Sequence, residues 1–496
     1  MTSFSYVGGD WVATSGDSAD PLVPAALRFA RRAGVPGMTR LTFHERARIL
    51  LKLADHLQAN SESLYRLSIR VGATRRDAVG DLAAALGVMR GLADATLADL
   101  PDATIAPDGP AVALGRDSDL TARHLYVSPR GVGVIVNASS YFRWSSTARL
   151  TPAFLAGVPI IVKPAVATAP VATEIIRLLV EARLAPSGSL QLLNGNIETY
   201  WDHLKLGDRV CFTGSGRAAL KLSQQPKVAS GRVKLITGTM CVNAAVLGPD
   251  EAPGSRGFEA LVRCVAHEMT THAGQTGTAI RRVLVPRPRV NQFADALSRY
   301  LDRTAKVGDP ADPTTTVGPL MDHSQLRHLR RQVKELVTFG GRIVRGGAKP
   351  RHLNGPYFEP TVLVFDQPTP VLCDVEPFGP VVSIAGYGSI GGAVRLANDG
   401  GSSLVITLAS RDEEFLAEVA HGVAPYHARV RLLCPTAPTG EAGEEAKPKA
   451  GFGWLKRPEE LSGVRAIHQW LHQVTVEGPW AAVDQLTHAG ALAHAK

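Results

Sequence analysis

The stretch HEMTTHAGQTGTAIRR, residues 267–282, has the local form of a reaction centre without its reacting group. A Gly-Gln-Thr-Gly turn ends at Gly277 and leads into the apolar, β-type segment AIRRVLVP. In many enzymes such a turn presents a thiol that attacks a carbonyl and forms a covalent intermediate. Gly277 has no side chain and so offers no nucleophile. Thr276 and Thr278 flank it, but a threonine hydroxyl needs a base, and none is evident. The histidines do not make a zinc site. The metalloprotease pattern H-E-x-x-H sets two histidines four apart on one helix face. His267 and His272 are five apart and diverge by about 140° around a helix. They read as exposed polar positions.

A second constellation concerns anion binding. In FTGSGRAAL a β run enters a glycine turn and a helix leaves it, with Gly214-x-Gly216-x-x-Ala219 matching the dinucleotide fingerprint. Glycines let the backbone approach a pyrophosphate, and the free N–H groups of the helix start point at it. Arg217 places a positive charge in that first turn, where the helix dipole disfavours it unless an anion is present. Lys163 ends the apolar run PIIVKPA, at the strand end where parallel sheets bind ligands. In DVEPFGPVV, Glu376 stands beside a proline–glycine turn and an apolar strand. It is read either as a cap for local backbone donors or as an acceptor for ribose hydroxyls. No Ser-His-Asp spacing, G-x-S-x-G or P-loop lysine motif is present.

These residues need elements to position them. The first 110 residues read mostly as helix. LTFHERARILLKLADHL opens on a capping box of Thr42 and Glu45 and sets Leu50, Leu53, Ala54 and Leu57 on one stripe. From about residue 125, apolar runs (GVGVIVNAS, PIIVKPA, LQLLNG, RVCFTGS, RVKLITGTM) alternate with helical stretches, the signature of a doubly wound parallel sheet. A second alternating series follows, from AIRRVLVP to SLVITLAS. PTAPTGEAGEEAKPKAGFG reads as a long loop. The tail VRAIHQWLHQVTVEGPW contains a β-like segment that an adjacent subunit could pair with.

Bulk properties narrow the class. With 496 residues, 45% hydrophobic and 20% charged, the chain can bury a large core. A net charge of +9 suits an anionic ligand such as a nucleotide or coenzyme A. The arginines are scattered rather than striped among aromatics, so nucleic acid is not expected as a partner. The five cysteines, Cys211, Cys241, Cys264, Cys373 and Cys434, are widely spaced and form no zinc or disulfide pattern. No apolar run has the length of a membrane span, and no signal-peptide pattern opens the chain, so a cytoplasmic protein without membrane association is expected.

Together, TPAFLAGVPIIVKPA, FTGSGRAAL, NAAVLGPD, AGQTGTAIRRVLVP, EPFGPVV and EELSGVRAIHQWLHQVTVEG resemble the aldehyde dehydrogenase superfamily, in motif order over most of the chain. Within it, the branch that oxidises CoA-linked semialdehydes in aromatic-acid degradation is the most similar. The resemblance implies an α/β fold: a Rossmann-type dinucleotide-binding domain, a second, catalytic-type α/β domain and a β oligomerisation arm. The expected boundaries are 1–243 (with an oligomerisation hairpin at about 117–130), 244–440, and 441–496 for the loop and arm. It also implies NADP or NAD as cofactor, an acyl-CoA or aldehyde ligand, and a homodimer or larger assembly. By resemblance, Lys163 holds the adenosine ribose, Gly214 and Ser215 lie along the pyrophosphate, and Glu376 and Phe378 hold the nicotinamide ribose. Val166 stands where NAD-preferring members often carry a glutamate, so a 2′-phosphate meets no repulsion there.

At the catalytic positions the resemblance implies losses. The nucleophile position is Gly277, the general-base position is Gly238, and the oxyanion-stabilising asparagine position falls at Ser140, with Asn137 three residues early. Three readings follow: a non-catalytic homologue that keeps an NAD(P)-type pocket; an oxidoreductase with altered chemistry, using Tyr141, His267 or His272 as the acid; and an ordinary aldehyde dehydrogenase in which the motifs align otherwise. Cys241 is considered as a relocated nucleophile, but it lies three residues past Gly238, where the chain is expected to be turning away.

Overall fold

The structure is a computed structural model, and it describes residues 3–14, 19–115, 119–137, 142–196, 199–239, 241–348, 350, 353–401, 403–433, 449–451, 460–462 and 464–492. Ser140, Tyr141 and Cys434 lie outside these residues.

Two seven-stranded sheets carry the molecule. In the first, the order is Lys234–Thr239, Arg209–Gly214, Gly133–Val136, Ile160–Lys163, Leu190–Leu192, Ser3–Val7 and Asp10–Thr14. The first five strands are mutually parallel. From Gly133–Val136 the chain steps outward through two helical crossovers, then returns so that Arg209–Gly214 pairs on the other side of Gly133–Val136. That reversal is a topological switch point, and it opens a crevice at the carboxyl ends of those two strands. This is the Rossmann-type arrangement. The two remaining strands form an antiparallel hairpin that the helical reading of the N-terminus misses. Its turn is Gly8-Gly9, with φ of +70° and +99°, a conformation glycine adopts without steric cost.

The second sheet runs Gly341–Arg345, Thr361–Phe365, Val381–Tyr387, Ile280–Pro286, Asn243–Leu247, Ile406–Ala409 and Val430–Leu432. All its pairings are parallel except the edge pairing of Gly341–Arg345 with Thr361–Phe365. Its five inner strands are largely apolar and buried, as expected where helices cover both faces, while the edge strands Gly341–Arg345 and Val430–Leu432 are partly exposed.

Helix Phe43–Ala59 begins at the capping box read from the sequence: Thr42 Oγ1 accepts from Glu45 N at 3.1 Å, and Glu45 Oε2 accepts from Thr42 N at 2.8 Å. Leu50, Leu53, Ala54 and Leu57 are all buried in the core over the first sheet. Each leucine contributes about 1.5–3 kcal/mol by leaving water.

The tail segment pairs within its own chain. His472–Pro479 lies antiparallel to Leu120–Val127, in register from His472 opposite Val127 to Pro479 opposite Leu120. One edge of that segment is taken by the hairpin strand, over eight residue pairs, and among the described residues its other edge carries no strand. Among the described residues, no helix is long and apolar enough to cross a membrane.

Candidate functional site

The crevice of the first sheet gathers most of the positions singled out for cofactor binding. Gly214 ends its strand, and Ser215 caps the helix Gly216–Ser223, accepting from Ala218 N at 3.3 Å. A side chain at Gly214 would collide with the Phe212 ring two residues back on the same strand face. Arg217 is exposed, and the first turn of that helix contains no acid. Lys163 ends strand Ile160–Lys163, on the other side of Gly133–Val136 from Gly214, with its ammonium partly desolvated and its pKa lowered by burial. Val166 is 83% exposed, so a charged residue would be solvated there. Asn137 is buried just past Gly133–Val136, and its N–H donates to Lys163 O at 3.0 Å. Gly238 is buried one strand over, with Gly238 opposite Thr213 and Thr239 opposite Gly214.

The Gly277 turn hangs from the second sheet. Helix Arg256–Thr270 ends, and His272, Ala273 and Gly274 follow with φ of +51°, +50° and +68°. Left-handed backbone costs an L-residue about 1–2 kcal/mol, so two non-glycine residues there need outside support. Gly274 is required: a Cβ would collide with the carbonyl oxygen of Gly379. Gly277 is not. Its φ is ordinary, and a Cβ built on it would meet only Leu404 Cδ1, at 3.8 Å, an ordinary contact.

The carbonyls of this turn are clamped from behind. Asn243 Nδ2 donates to Gly277 O at 2.9 Å and to Ala279 O at 3.1 Å. Asn243 Oδ1 accepts from Val405 N at 3.1 Å. Arg281, fully buried, donates to Thr276 O at 3.1 Å and to Gly379 O at 2.8 Å, and its guanidinium lies 5.5 Å from the Phe378 ring centre. Gln332 donates to Glu376 O, and Gln325 Nε2 donates to Phe378 O at 2.8 Å. The Gly277 turn and the Glu376–Phe378 segment are therefore one packed unit.

Glu376, like Arg281 Nε and Gln332 Oε1 in the same unit, has unmet bonding capacity. Its Oε1 is buried without a hydrogen-bond partner among the described residues. Burial pushes its pKa up to about 8, with Arg281 opposing the shift. A buried acceptor left unsatisfied costs free energy, so a hydroxyl-bearing ligand that donates to it gains by that amount. With a glycine-bounded helix start free of acid and a lysine at a strand end on the other side of Gly133–Val136, the residues fit a nicotinamide dinucleotide.

Two expectations are corrected here. His272 is not an exposed helix residue: it is 4% exposed, with Nε2 2.7 Å from Asp81 Oδ1 and Nδ1 3.9 Å from Asp77 Oδ2. Its helical register ends at Thr270, and the left-handed turn carries it inward. His267 is exposed, so the two histidines occupy different environments. Nor does the chain turn Cys241 away. Its Sγ accepts from Leu404 N at 3.2 Å, and it feels the charges of Glu376 and Arg281. Burial, reinforced by Glu376, pushes that thiol up to about 12, far from the thiolate a nucleophile needs.

The sequence reading did not single out Arg281, Asn243 or Leu404. For Arg281 a signal exists: two consecutive arginines interrupt a strand that is otherwise apolar on both faces. For Asp81 none does, since 191 residues separate it from His272.

Residues 3–424 match the Aldehyde dehydrogenase family. The chain is 34% identical over 473 residues to a 3,4-dehydroadipyl-CoA semialdehyde dehydrogenase of Aromatoleum evansii, covering 87% of this chain and 88% of that protein. It is 28% identical to the mitochondrial succinate-semialdehyde dehydrogenase of Arabidopsis thaliana, over 73% of this chain and 65% of that one. Among solved structures, a betaine aldehyde dehydrogenase from Staphylococcus aureus in complex with NAD+ superimposes with a TM-score of 0.82 at 21% identity, over 96% of this chain and 95% of that one. PnpE from Pseudomonas sp. WBC-3 gives 0.82 at 23% identity, over 97% and 98%. Sequence and fold agree, and the chain belongs to the aldehyde dehydrogenase family.

Proposed function

We propose that this protein is a catalytically impaired member of the family: it keeps an NADP- or NAD-type pocket and binds aldehyde or acyl-CoA ligands without forming a covalent intermediate on itself. The observation that carries this reading is Gly277. The turn is fully built, its carbonyls are held by Asn243 and Arg281, and neither backbone nor space demands glycine there. The position thus has everything except a reactive group. Gly238 at the proposed general-base position, one strand from Gly214, agrees with it. So does Cys241, whose burial keeps its thiol protonated. Ser140, the third position, lies outside the described residues.

In the proposed cofactor site, Lys163 would hold the adenosine ribose, Gly214 and Ser215 the pyrophosphate, and Glu376 and Phe378 the nicotinamide ribose. When bound, a nicotinamide supplies a hydride acceptor. The protein's own residues orient it: the helix start at Ser215 meets phosphate charge, and Glu376 Oε1 accepts from a ribose hydroxyl. Exposed Val166 leaves room for a 2′-phosphate, which supports NADP. The CoA-linked ligand class is supported by the relative from Aromatoleum evansii. A homodimer or larger assembly is supported by the exposed Leu120 on the hairpin and the exposed Trp480 and Leu486 on the arm. Sedimentation as a monomer at micromolar concentration would count against it.

A second reading, an oxidoreductase with altered chemistry, is favoured by Glu376, whose buried acceptor is retained although the nucleophile position is bare. One titration separates the possibilities. Tryptophan emission is followed as NADP or NAD is added, and then a CoA-linked semialdehyde. Cofactor binding without nicotinamide reduction supports the impaired reading. Reduction supports the second reading, and absence of binding at millimolar cofactor removes the pocket from both.

A further inference from the structure

We infer that His272 is a positioning residue, and that its ion pair with Asp81 is a pH-sensitive clamp holding the Gly277 turn in a left-handed conformation its own residues disfavour. The inference does not depend on what the site does. It concerns how a turn carrying two non-glycine residues at φ near +50° stays in place.

The clamp comes from a helix 191 residues away in sequence. Asp77 and Asp81 stand one turn apart on helix Arg75–Asp99, whose start is fixed by Thr74 Oγ1 accepting from Asp77 N at 3.1 Å. They bracket the His272 ring at 3.9 and 2.7 Å, and all three side chains are buried. Nearby, Arg76 Nη2 donates to Thr270 Oγ1 at 3.3 Å and to Thr316 O at 3.2 Å, so the same helix also holds the residue before the turn. From helix Arg256–Thr270 the charged groups close to His272 in sequence are committed elsewhere. His267 is exposed, with Thr271 Oγ1 at 3.4 Å, and Glu268 binds Ile280 N at 2.8 Å and Arg431 at 2.6 Å. The cationic form of His272 therefore faces two carboxylates, and its neutral form faces the same carboxylates without a charge to offer them. Protonated, His272 is drawn to the helix and the turn stays left-handed. Deprotonated, the charge attraction that opposes the backbone strain is gone.

Hydrogen exchange of the full-length protein, read by mass spectrometry on peptides covering 271–279, tests this. The expected result is that His272→Gln and Asp81→Asn each speed exchange in that segment about tenfold or more, while peptides from strand Ile280–Pro286 are unchanged. His272→Lys, which keeps a cation without the imidazole titration, is expected to stay close to the parent. In the parent, raising pH from 6 to 9 should speed exchange in this segment beyond the intrinsic chemical rate, and His272→Lys should flatten that rise. Parent-like exchange in His272→Gln, or a parent profile that follows the intrinsic rate alone, would overturn the clamp. Should His272→Gln lose protection everywhere, Asp81→Asn and the pH profile of His272→Lys decide: a rise in His272→Lys as steep as in the parent would overturn the clamp.

Discussion

Asn243 and Gly277 are joined across the site: the Asn243 amide donates to the Gly277 carbonyl at 2.9 Å, while its own carbonyl oxygen accepts from Val405 N. One buried side chain thereby ties the start of strand Asn243–Leu247 to the bare turn and to the segment carrying Leu404. Asn243→Ala should leave the Gly277 and Ala279 carbonyls and the Val405 N–H without that partner. Each buried group left unsatisfied costs about 1–3 kcal/mol, and some relaxation will soften the sum. A loss of about 2–4 kcal/mol in urea unfolding is expected, with cofactor affinity falling as the turn loosens.

Gly277→Cys should be tolerated. The new Cβ makes one ordinary contact with Leu404, so thermal stability should stay within about 0.5 kcal/mol of the parent. The introduced thiol should react with iodoacetamide faster than Cys241, whose burial holds it near pKa 12. Peptide mapping of the alkylated protein gives both rates. Combining it with Gly238→Glu should produce nicotinamide reduction with a semialdehyde that the parent does not show.

Dinucleotide affinity should rise with pH through about 8. Glu376 is raised to about 8 by burial, so its carboxyl is mostly protonated at pH 7 and ionised at pH 9. A ribose hydroxyl donates better to the ionised form, so binding strengthens as the proton leaves and releases that proton. Glu376→Gln should flatten the profile. Fluorescence titrations at pH 6.5, 7.5 and 8.5 check it, and a parent profile as flat as that of the variant would remove Glu376 from the binding site.

Val166→Glu should shift preference from NADP toward NAD. A carboxylate at this exposed position repels a 2′-phosphate and accepts from a 2′-hydroxyl. A change of about tenfold in the affinity ratio corresponds to about 1.4 kcal/mol, the scale of one such contact. Parallel titrations with the two cofactors measure it.

The sheet-forming segments were legible because each carries its own local pattern: apolar runs of strand length, glycine turns and capping residues. The capping box at Thr42 and the glycine turn at Gly214 depend only on neighbours in sequence. The Gly8-Gly9 hairpin was legible in the same way, but it lies ahead of a helical region whose periodicity dominates the reading. The site was legible only where it is local. That Gly277 lacks a side chain is plain in the sequence; that Arg281 and Asn243 still hold its turn is not, because those bonds depend on which strands become neighbours. The burial of His272 was misread because helical periodicity was carried past Thr270 into a left-handed turn, and the Asp81 that meets it lies almost two hundred residues away.

The central claim is that no residue of this protein forms a covalent intermediate with an aldehyde. Intact-protein mass spectrometry after incubation with NADP and a CoA-linked semialdehyde tests it directly. The account predicts an unchanged protein mass at every time point, while a Gly277→Cys sample acquires the adduct. An acyl or hemiacetal mass increment on the unaltered protein, assigned to any side chain, would contradict it.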